Sequence, residues 1–474
     1  RIFIEKSAVE LVGYAKTDVL EPGEVSEPIK ITVDESTFKS YDAECAGTYI
    51  IDGGEYLLTV ANGAHEAANN FLAAKGYTVE NTNGRMNADG NPALVAGFEI
   101  IYHPAGFADL NKYEGSNTKV TYLSRSDWQG TMPSEVIAVS LTDKLYSDLQ
   151  RNRPIDEAED VSVPVYEKDN GLTITALRGE PYDSDKWQSL LDQMTFEDQA
   201  YLITNGQYAT VPLMSVAKPD TSEYDGPTGV VGSKGSLSFP SEGIWAATYN
   251  DELIYKVGEM LAEDALANGK TGLYANATNI HRTPFGGRSH EYYSEDPFLS
   301  GRASVAEISG MQSKGVVAHV KHIAFNDQED QRAGGAVWLN EQTAREIYLL
   351  PFEYALSSAK GMGNAHAVMS AMNRAGAIWV GASSELLNDI MRGEWGFDGY
   401  CITDMAASNT AYIMTYNDGI PNGTDLFLGS GSRSALDAYR NNPVFANAMR
   451  EASHRILYVV ANYSAALNGM THRF

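Results

Sequence analysis

Six residues stand out by type and placement: Asp225, Arg288, Lys321, His322, Asn373 and Asp404. Lys321 and His322 follow the apolar run 316–320, Asn373 follows Met369 to Met372, and Asp404 follows Cys401-Ile402-Thr403. Arg288 sits in Gly286-Gly287-Arg288, and Asp225 opens Asp225-Gly226-Pro227. Carboxylates, an amine, an imidazole and a guanidinium gathered at strand ends describe a polyol-binding pocket. Carboxylates accept hydrogen bonds in pairs and guanidinium donates them in pairs, which is what vicinal hydroxyls require. Each residue also has a plainer reading. Asp404 can cap a helix N-terminus, His322 can be a satisfied core histidine, and Asp225 can be a turn residue. Lys321 beside His322 weakens the core reading, because lysine is seldom buried without a partner.

Bringing these side chains together needs repeated strand–helix units. From Trp187 onward the pattern supplies them. Trp187, Leu190, Leu191 and Met194 have helical spacing, and Thr195 with Asp198 resembles a capping box for the next helix. Leu253, Val257, Leu261 and Ala265 line one face of a helix that Gly269 can end. Helices are also predicted over 341–360, 384–392 and 447–461, and strands over 272–275, 316–320, 367–371, 400–403 and 425–428. This alternation predicts parallel strands and a (β/α)8-like TIM barrel over residues 186–474, with functional residues at the C-terminal strand ends. Residues 1–62 read as a β-sandwich incomplete at its start. Ile29, Ile31 and Val33 alternate with polar neighbours, and strands near 48–51 and 56–60 flank the turn Asp52-Gly53-Gly54-Glu55. Residues 63–185 read as a long connector with a helix over 65–75, a β-like run at 120–123 and a solvated acidic stretch at 156–160.

Length and charge exclude several classes. At 474 residues the chain should hold two or three domains, and 43% hydrophobic residues suffice for a large core. A net charge of −27 argues against binding nucleic acid through its phosphates and favours neutral or cationic ligands. No run approaches ~18 apolar residues, so no membrane span is expected. Cys45 and Cys401 are too few for a disulfide framework or a four-thiolate metal site, which suits a cytoplasmic setting. The first residues, Arg1 to Lys6, read as the inside of a strand, so the chain is expected to be one piece of something longer. His319 and His322 should face opposite sides of a strand, which disfavours a metal pair. Gly269-Lys270-Thr271 echoes a phosphate loop, but Asp264 replaces its first glycine, and no G-x-S-x-G elbow is present.

Several ordered motifs closely resemble glycoside hydrolase family 3. They are DGPTGV (225–230), FPSEGIWAATYN (239–250), GGRSHEYYSEDPFLSG (286–301), KHIAFNDQEDQR (321–332) and GFDGYCITD (396–404). SAVELVGYAKTDVLEPGE (7–24) resembles the family's fibronectin type III-like domain, here placed before the barrel as in permuted members. The resemblance implies retaining hydrolysis of terminal non-reducing β-linked sugars, most often β-glucosides, without a cofactor or metal. It implies Asp404 as the nucleophile and Asp225, Arg288, Lys321 and His322 as sugar-binding residues of subsite −1. Met372 and Met405 stand where the family often has aromatic residues shaping that subsite.

The family's acid/base in multidomain members is a Glu from an α/β sandwich domain, and no such domain is legible in this chain. KHIAFND also lacks the histidine of the hexosaminidase branch. Glu291, Asp327 and Glu329 are in-chain carboxylates that read as structural. The acid/base is therefore expected from sequence upstream of Arg1 or from a separate chain. The resulting expectation is a retaining exo-β-glucosidase acting on a β-glucoside or oligosaccharide, with a homo-oligomer allowed. The alternatives are a β-xylosidase or broad-specificity glycosidase, and a sugar-binding protein without turnover.

Overall fold

The computed structural model describes residues 4–43, 45–100, 103–107, 140–149, 155, 161–231, 235–357, 364–406 and 412–468. The expected β-like run at 120–123 and the acidic stretch at 156–160 lie outside them. The chain divides into two compact units.

The first unit contains short antiparallel sheets. Strands β1 (Ser40–Asp42), β2 (Thr48–Ile51) and β5 (His103–Phe107) form one sheet, and β3 (Gly54–Thr59) pairs with β4 (Val95–Ile100) in another. The predicted turn after β2 is present, but it passes the chain from one sheet to the other rather than closing a hairpin. Both ladders join residues on either side of position 62, so the sheets continue beyond the expected end of the sandwich. The predicted helix is found at Ala64–Ala74. The strand expected around Ile29, Ile31 and Val33 does not form. Ile29 and Ile31 are about half exposed and pair with no ladder, and alternation without a partner strand leaves the backbone groups to water. Tyr41 and Tyr49 are buried edge to face, with the Arg345 guanidinium over both rings and ion-paired to Glu341.

The second unit is built on a six-stranded parallel sheet in the order β14 (Leu426–Leu428), β13 (Tyr400–Met405), β10 (Ala367–Ser370), β8 (Val317–Ile323), β7 (Gly272–Tyr274), β6 (Glu223–Asp225). Neighbours in space follow sequence order, as in a TIM-like barrel, but six ladder strands are described where eight were expected. Short antiparallel and parallel pairings join β9 (Ala336–Val337), β11 (Arg374–Ala375) and β12 (Ile378–Trp379) in a separate small sheet.

The curl of the main sheet is completed by an irregular segment. The Gly206 amide donates to the Phe427 carbonyl at 2.8 Å on one edge strand, and the Glu223 amide of the other edge donates to the Tyr208 carbonyl at 2.9 Å. A side chain at Gly206 would stand 2.6 Å from the Phe427 oxygen, so only glycine allows the approach.

The helices clothe the sheet much as their spacing predicts. Trp187, Leu190, Leu191 and Met194 are fully buried, and the Thr195–Asp198 capping box forms. The helix Asp251–Ala267 departs from expectation. Its buried face runs through Ile254, Gly258, Leu261, Ala262 and Ala265, while Leu253 is exposed. Gly258 is the cause. It lies against the backbone of the helix Pro297–Gln312, where an added Cβ would meet the Glu307 carbonyl at 2.3 Å. A glycine at the crossing draws the helices together and rotates the buried stripe off the apolar spacing.

Candidate active site

Parallel strands buried on both faces carry apolar runs, and polar residues are tolerated mainly where partners await them. In β8 all seven residues are buried, including His319, Lys321 and His322. Lys321 and His322 thus belong to the strand itself rather than following it. His319 is a core histidine. Its ring nitrogens meet the Leu273 carbonyl at 3.0 Å and the Tyr400 hydroxyl at 2.6 Å, and burial lowers its pKa to about 4. Among the described residues no group of His, Cys, Asp or Glu is placed to hold a metal, and no helix is long and apolar enough to cross a membrane.

The other candidates converge. Asp225 ends β6 and its Oδ1 lies 3.5 Å from Lys321 Nζ. Asp404 lies near the end of β13. Its Oδ1 accepts from the Met405 amide at 2.7 Å, and its Oδ2 accepts from Arg332 Nη1 at 3.1 Å. His322 Nε2 lies 3.8 Å from the same Oδ2 and 3.1 Å from Arg288 Nη1. Guanidinium can only donate, so Nε2 carries the lone pair and the ring proton resides on Nδ1. Burial, reinforced by Arg288, Lys321 and Arg332, holds the imidazole well below its usual pKa and therefore neutral. Its position is fixed by Asn279, whose side chain accepts from the His322 amide at 2.9 Å and donates to its carbonyl at 3.1 Å.

Arg288, just before the turn Ser289–Glu291, donates through Nε to Glu291 and lies 3.5 Å from Glu329. Glu329 also accepts from Asn326 at 2.8 Å and pairs with Arg332 Nε at 3.2 Å. Met372 is buried and Met405 half-buried, beside Asn373 and Asp404 respectively. Asn373 is buried, with no partner for its Oδ1 among the described residues.

Sequence reasoning did not single out Arg332 or the part played by Glu291. Arg332 falls inside the motif 321–332, and its signal was a basic residue in the loop after the strand bearing Lys321. Asp327 accepts from the Ile280 amide at 2.7 Å, and burial raises its pKa to about 7 against the pull of that hydrogen bond and Arg282.

The ring of Asp225, Lys321, Arg288, His322, Arg332 and Asp404 can bind a neutral polyol and present one carboxylate to it. Residues 191–434 match the family model described as the glycosyl hydrolase family 3 N terminal domain. A β-glucosidase of Rhizobium radiobacter is 35% identical over 287 residues, covering 58% of this chain and 34% of that protein. One from Ruminococcus albus is 30% identical over 420 residues, covering 85% of this chain and 40% of that protein. The chain spans roughly a third of the length of the curated relatives it first matches. The solved β-glucosidase 3B of Thermotoga neapolitana, in complex with α-D-glucose, superposes with a TM-score of 0.52 at 28% identity, over 60% of this chain and 44% of that one. A Paenibacillus barengoltzii β-glucosidase structure shares the fold over 92% of this chain and 47% of that one, with a TM-score of 0.63 at 19% identity. With the matched segment covering half of the chain, from the end of the helix Asp185–Leu191 past the last strand of the parallel sheet, the chain belongs to glycoside hydrolase family 3.

Proposed function

We propose that this chain carries the sugar-binding half of a retaining β-glucosidase, with Asp404 as nucleophile and Asp225, Arg288, Lys321 and His322 holding the sugar in subsite −1. The observation that carries this reading is the Asp404 carboxylate. It is held at a strand's C-terminal end by the Met405 amide and Arg332, beside a neutral histidine and within a ring of donors. A nucleophilic carboxylate must be fixed and aimed at the anomeric carbon, and vicinal hydroxyls need charged donors and acceptors in pairs. The β-glucosidase relatives support glucose as the sugar.

Retention also requires a second carboxyl about 5–5.5 Å from the first, able to protonate the leaving oxygen. Glu291 and Glu329 are tied to arginines and suit anchoring better than proton donation. The reading therefore assigns the acid/base to an α/β sandwich domain supplied by other sequence or another chain. It also places a β-rich spacer ahead of the catalytic barrel. The 420-residue match to the Ruminococcus enzyme, too long to be confined to the sheet domain, supports that order.

The test is intact mass and peptide mapping after incubation with 2,4-dinitrophenyl 2-deoxy-2-fluoro-β-glucoside. Dinitrophenolate leaves without protonation, so labelling needs no acid. A fluoroglucosyl adduct on Asp404 is expected. A folded chain that takes no label, or takes it elsewhere, overturns the assignment.

A further inference from the structure

Glu291 is a buried carboxylate whose two oxygens face two of the site's three cations. Oε1 accepts from Arg288 Nε, and Oε2 lies 3.8 Å from Lys321 Nζ. The local sequence arranges this. Arg288 and Glu291 are three residues apart across a single 3₁₀ turn, a spacing that brings side chains onto one side. Lys321 arrives from β8 with its side chain only 3% exposed. Of the two carboxylates near Lys321, Asp225 is the exposed one, at 45%, and Glu291 the buried one, at 9%. Asp225 therefore faces the open side of the site, and Glu291 holds the amine from behind. The same division applies to Arg288. Glu291 takes Nε, while Nη1 lies against His322 and Glu329.

We infer that Glu291 is the positioning residue of this site, a clamp that sets the Arg288 guanidinium and the Lys321 amine in the directions from which they bind the sugar, and that it is not the acid/base. The inference rests on the sugar-hydrolysing reading proposed above. Burial by itself would push this carboxyl's pKa up, but Lys321, Arg288 and the Arg288 hydrogen bond outweigh it and hold the pKa below the usual value. A carboxylate held between Arg288 and Lys321 favours its ionised form and suits anchoring rather than proton donation. Removing its charge would leave two buried cations to reorient toward Asp225, Glu329 or solvent, and the sugar's donors would be misplaced.

The experiment compares wild type with Glu291→Gln and Glu291→Asp in the full chain. It measures the rate of Asp404 labelling by the dinitrophenyl fluoroglucoside, with and without azide. Glu291→Gln should slow labelling about 10–100-fold, the usual effect of losing charge-assisted contacts. Azide should not restore it, and Glu291→Asp should recover part of it. An acid/base would behave in the opposite way, because this leaving group needs no proton. Its loss would leave labelling unchanged and produce a glycosyl azide with unmodified substrates. Labelling of Glu291→Gln at the wild-type rate therefore overturns the inference.

If Glu291→Gln does not fold, Arg288→Lys and Glu291→Asp replace it, singly and together. Their labelling losses should be clearly non-additive if the residues act as a unit, and additive losses count against the clamp. Wild type that takes no label refutes the proposed function instead, so the two failures are distinguishable.

Discussion

Glu291 and Glu242 are both buried carboxyls of the sheet domain, and their environments drive them in opposite directions. Glu291 meets Arg288 and Lys321 and keeps its charge. Glu242, on the short helix Glu242–Ala246, accepts from the Ala277 amide at 3.3 Å with one oxygen, and its other oxygen is buried with no partner among the described residues. Its strongest influences after burial are Glu307 and Glu291, both acidic, and its pKa is raised well above the usual value. Glu307 accepts from the Tyr293 hydroxyl, leaves its Oε1 likewise without a partner, and is raised to about 8, mainly by burial. Neighbouring charge, more than depth, decides which carboxyl ionises. The salt-bridged ring keeps its carboxylates charged, whereas the surroundings of Glu242 and Glu307 favour their protonated forms.

The largest effect expected anywhere on this ring is at Asp404 itself. On the proposed role of Asp404 as covalent nucleophile, Asp404→Asn should lower hydrolysis by the assembled enzyme at least about 10³-fold. Initial-rate assays on an aryl β-glucoside would show it. Next comes the contrast between the two buried carboxyls. Glu291→Gln should destabilise by about 3–5 kcal/mol, since it removes the buried partner shared by Arg288 and Lys321 and leaves them only the more exposed Glu329 and Asp225. Glu242→Gln should cost under about 1.5 kcal/mol at pH 6, because an amide is a near-isostere of a protonated carboxyl. Urea unfolding at that pH compares them, and equal costs would break the distinction.

The pH dependence sharpens it further. Unfolded, Glu242 and Glu307 titrate near 4.5, and folded, Glu307 titrates at about 8. Below about 4.5 both states hold the proton, and the pair's contribution to stability is complete. As pH rises the unfolded chain ionises first, so stability falls from about 4.5 to about 8. Asp327, raised from 3.8 to about 7, adds a loss of the same sign over its own window. Glu291, with its lowered pKa, works the other way and loses its contribution as pH falls through its folded value. Melting curves of Glu307→Gln should therefore be flatter than wild type between pH 5 and about 8. A carbonyl band of a protonated acid should also vanish from its infrared spectrum.

The smallest effect is purely steric. Gly258→Ala should cost about 1–3 kcal/mol, because the new methyl meets backbone rather than a movable side chain.

Much of the site was legible because its chemistry needs residue types that are out of place in apolar strands. Lys321, His322 and Asp404 interrupt or end such runs, and the structure brings them together with Arg288 and Asp225. Arg332 was harder to see. It lies eleven residues beyond Lys321, in an irregular loop, and nothing in local spacing says that its guanidinium returns to Asp404. The helices expected from Trp187 and over 447–461 were found because a stripe such as Trp187, Leu190, Leu191 and Met194 is a local record of burial. The one expected over 341–360 is instead broken into Glu341–Thr343, a wider-wound stretch Ala344–Tyr348 and Leu350–Leu356, with 358–360 outside the described residues. Where glycine makes the contact, as at Gly258, that record is silent and the assigned face turns by one residue. The alternation at Ile29, Ile31 and Val33 misled for the complementary reason. Strand formation depends on a partner as well as on a pattern, and β6, only three residues long, is strand largely because β7 pairs with it.

The irregular closure at Gly206 has a consequence for how the domain comes apart. Every other junction around the main sheet is a strand ladder, whereas here the two edges meet across a glycine-bearing segment through isolated amide–carbonyl links. Such a seam is the natural first place for the ring to breathe. Amide exchange at Gly206 and Glu223 should report that local opening well before the amides of β8 report global unfolding.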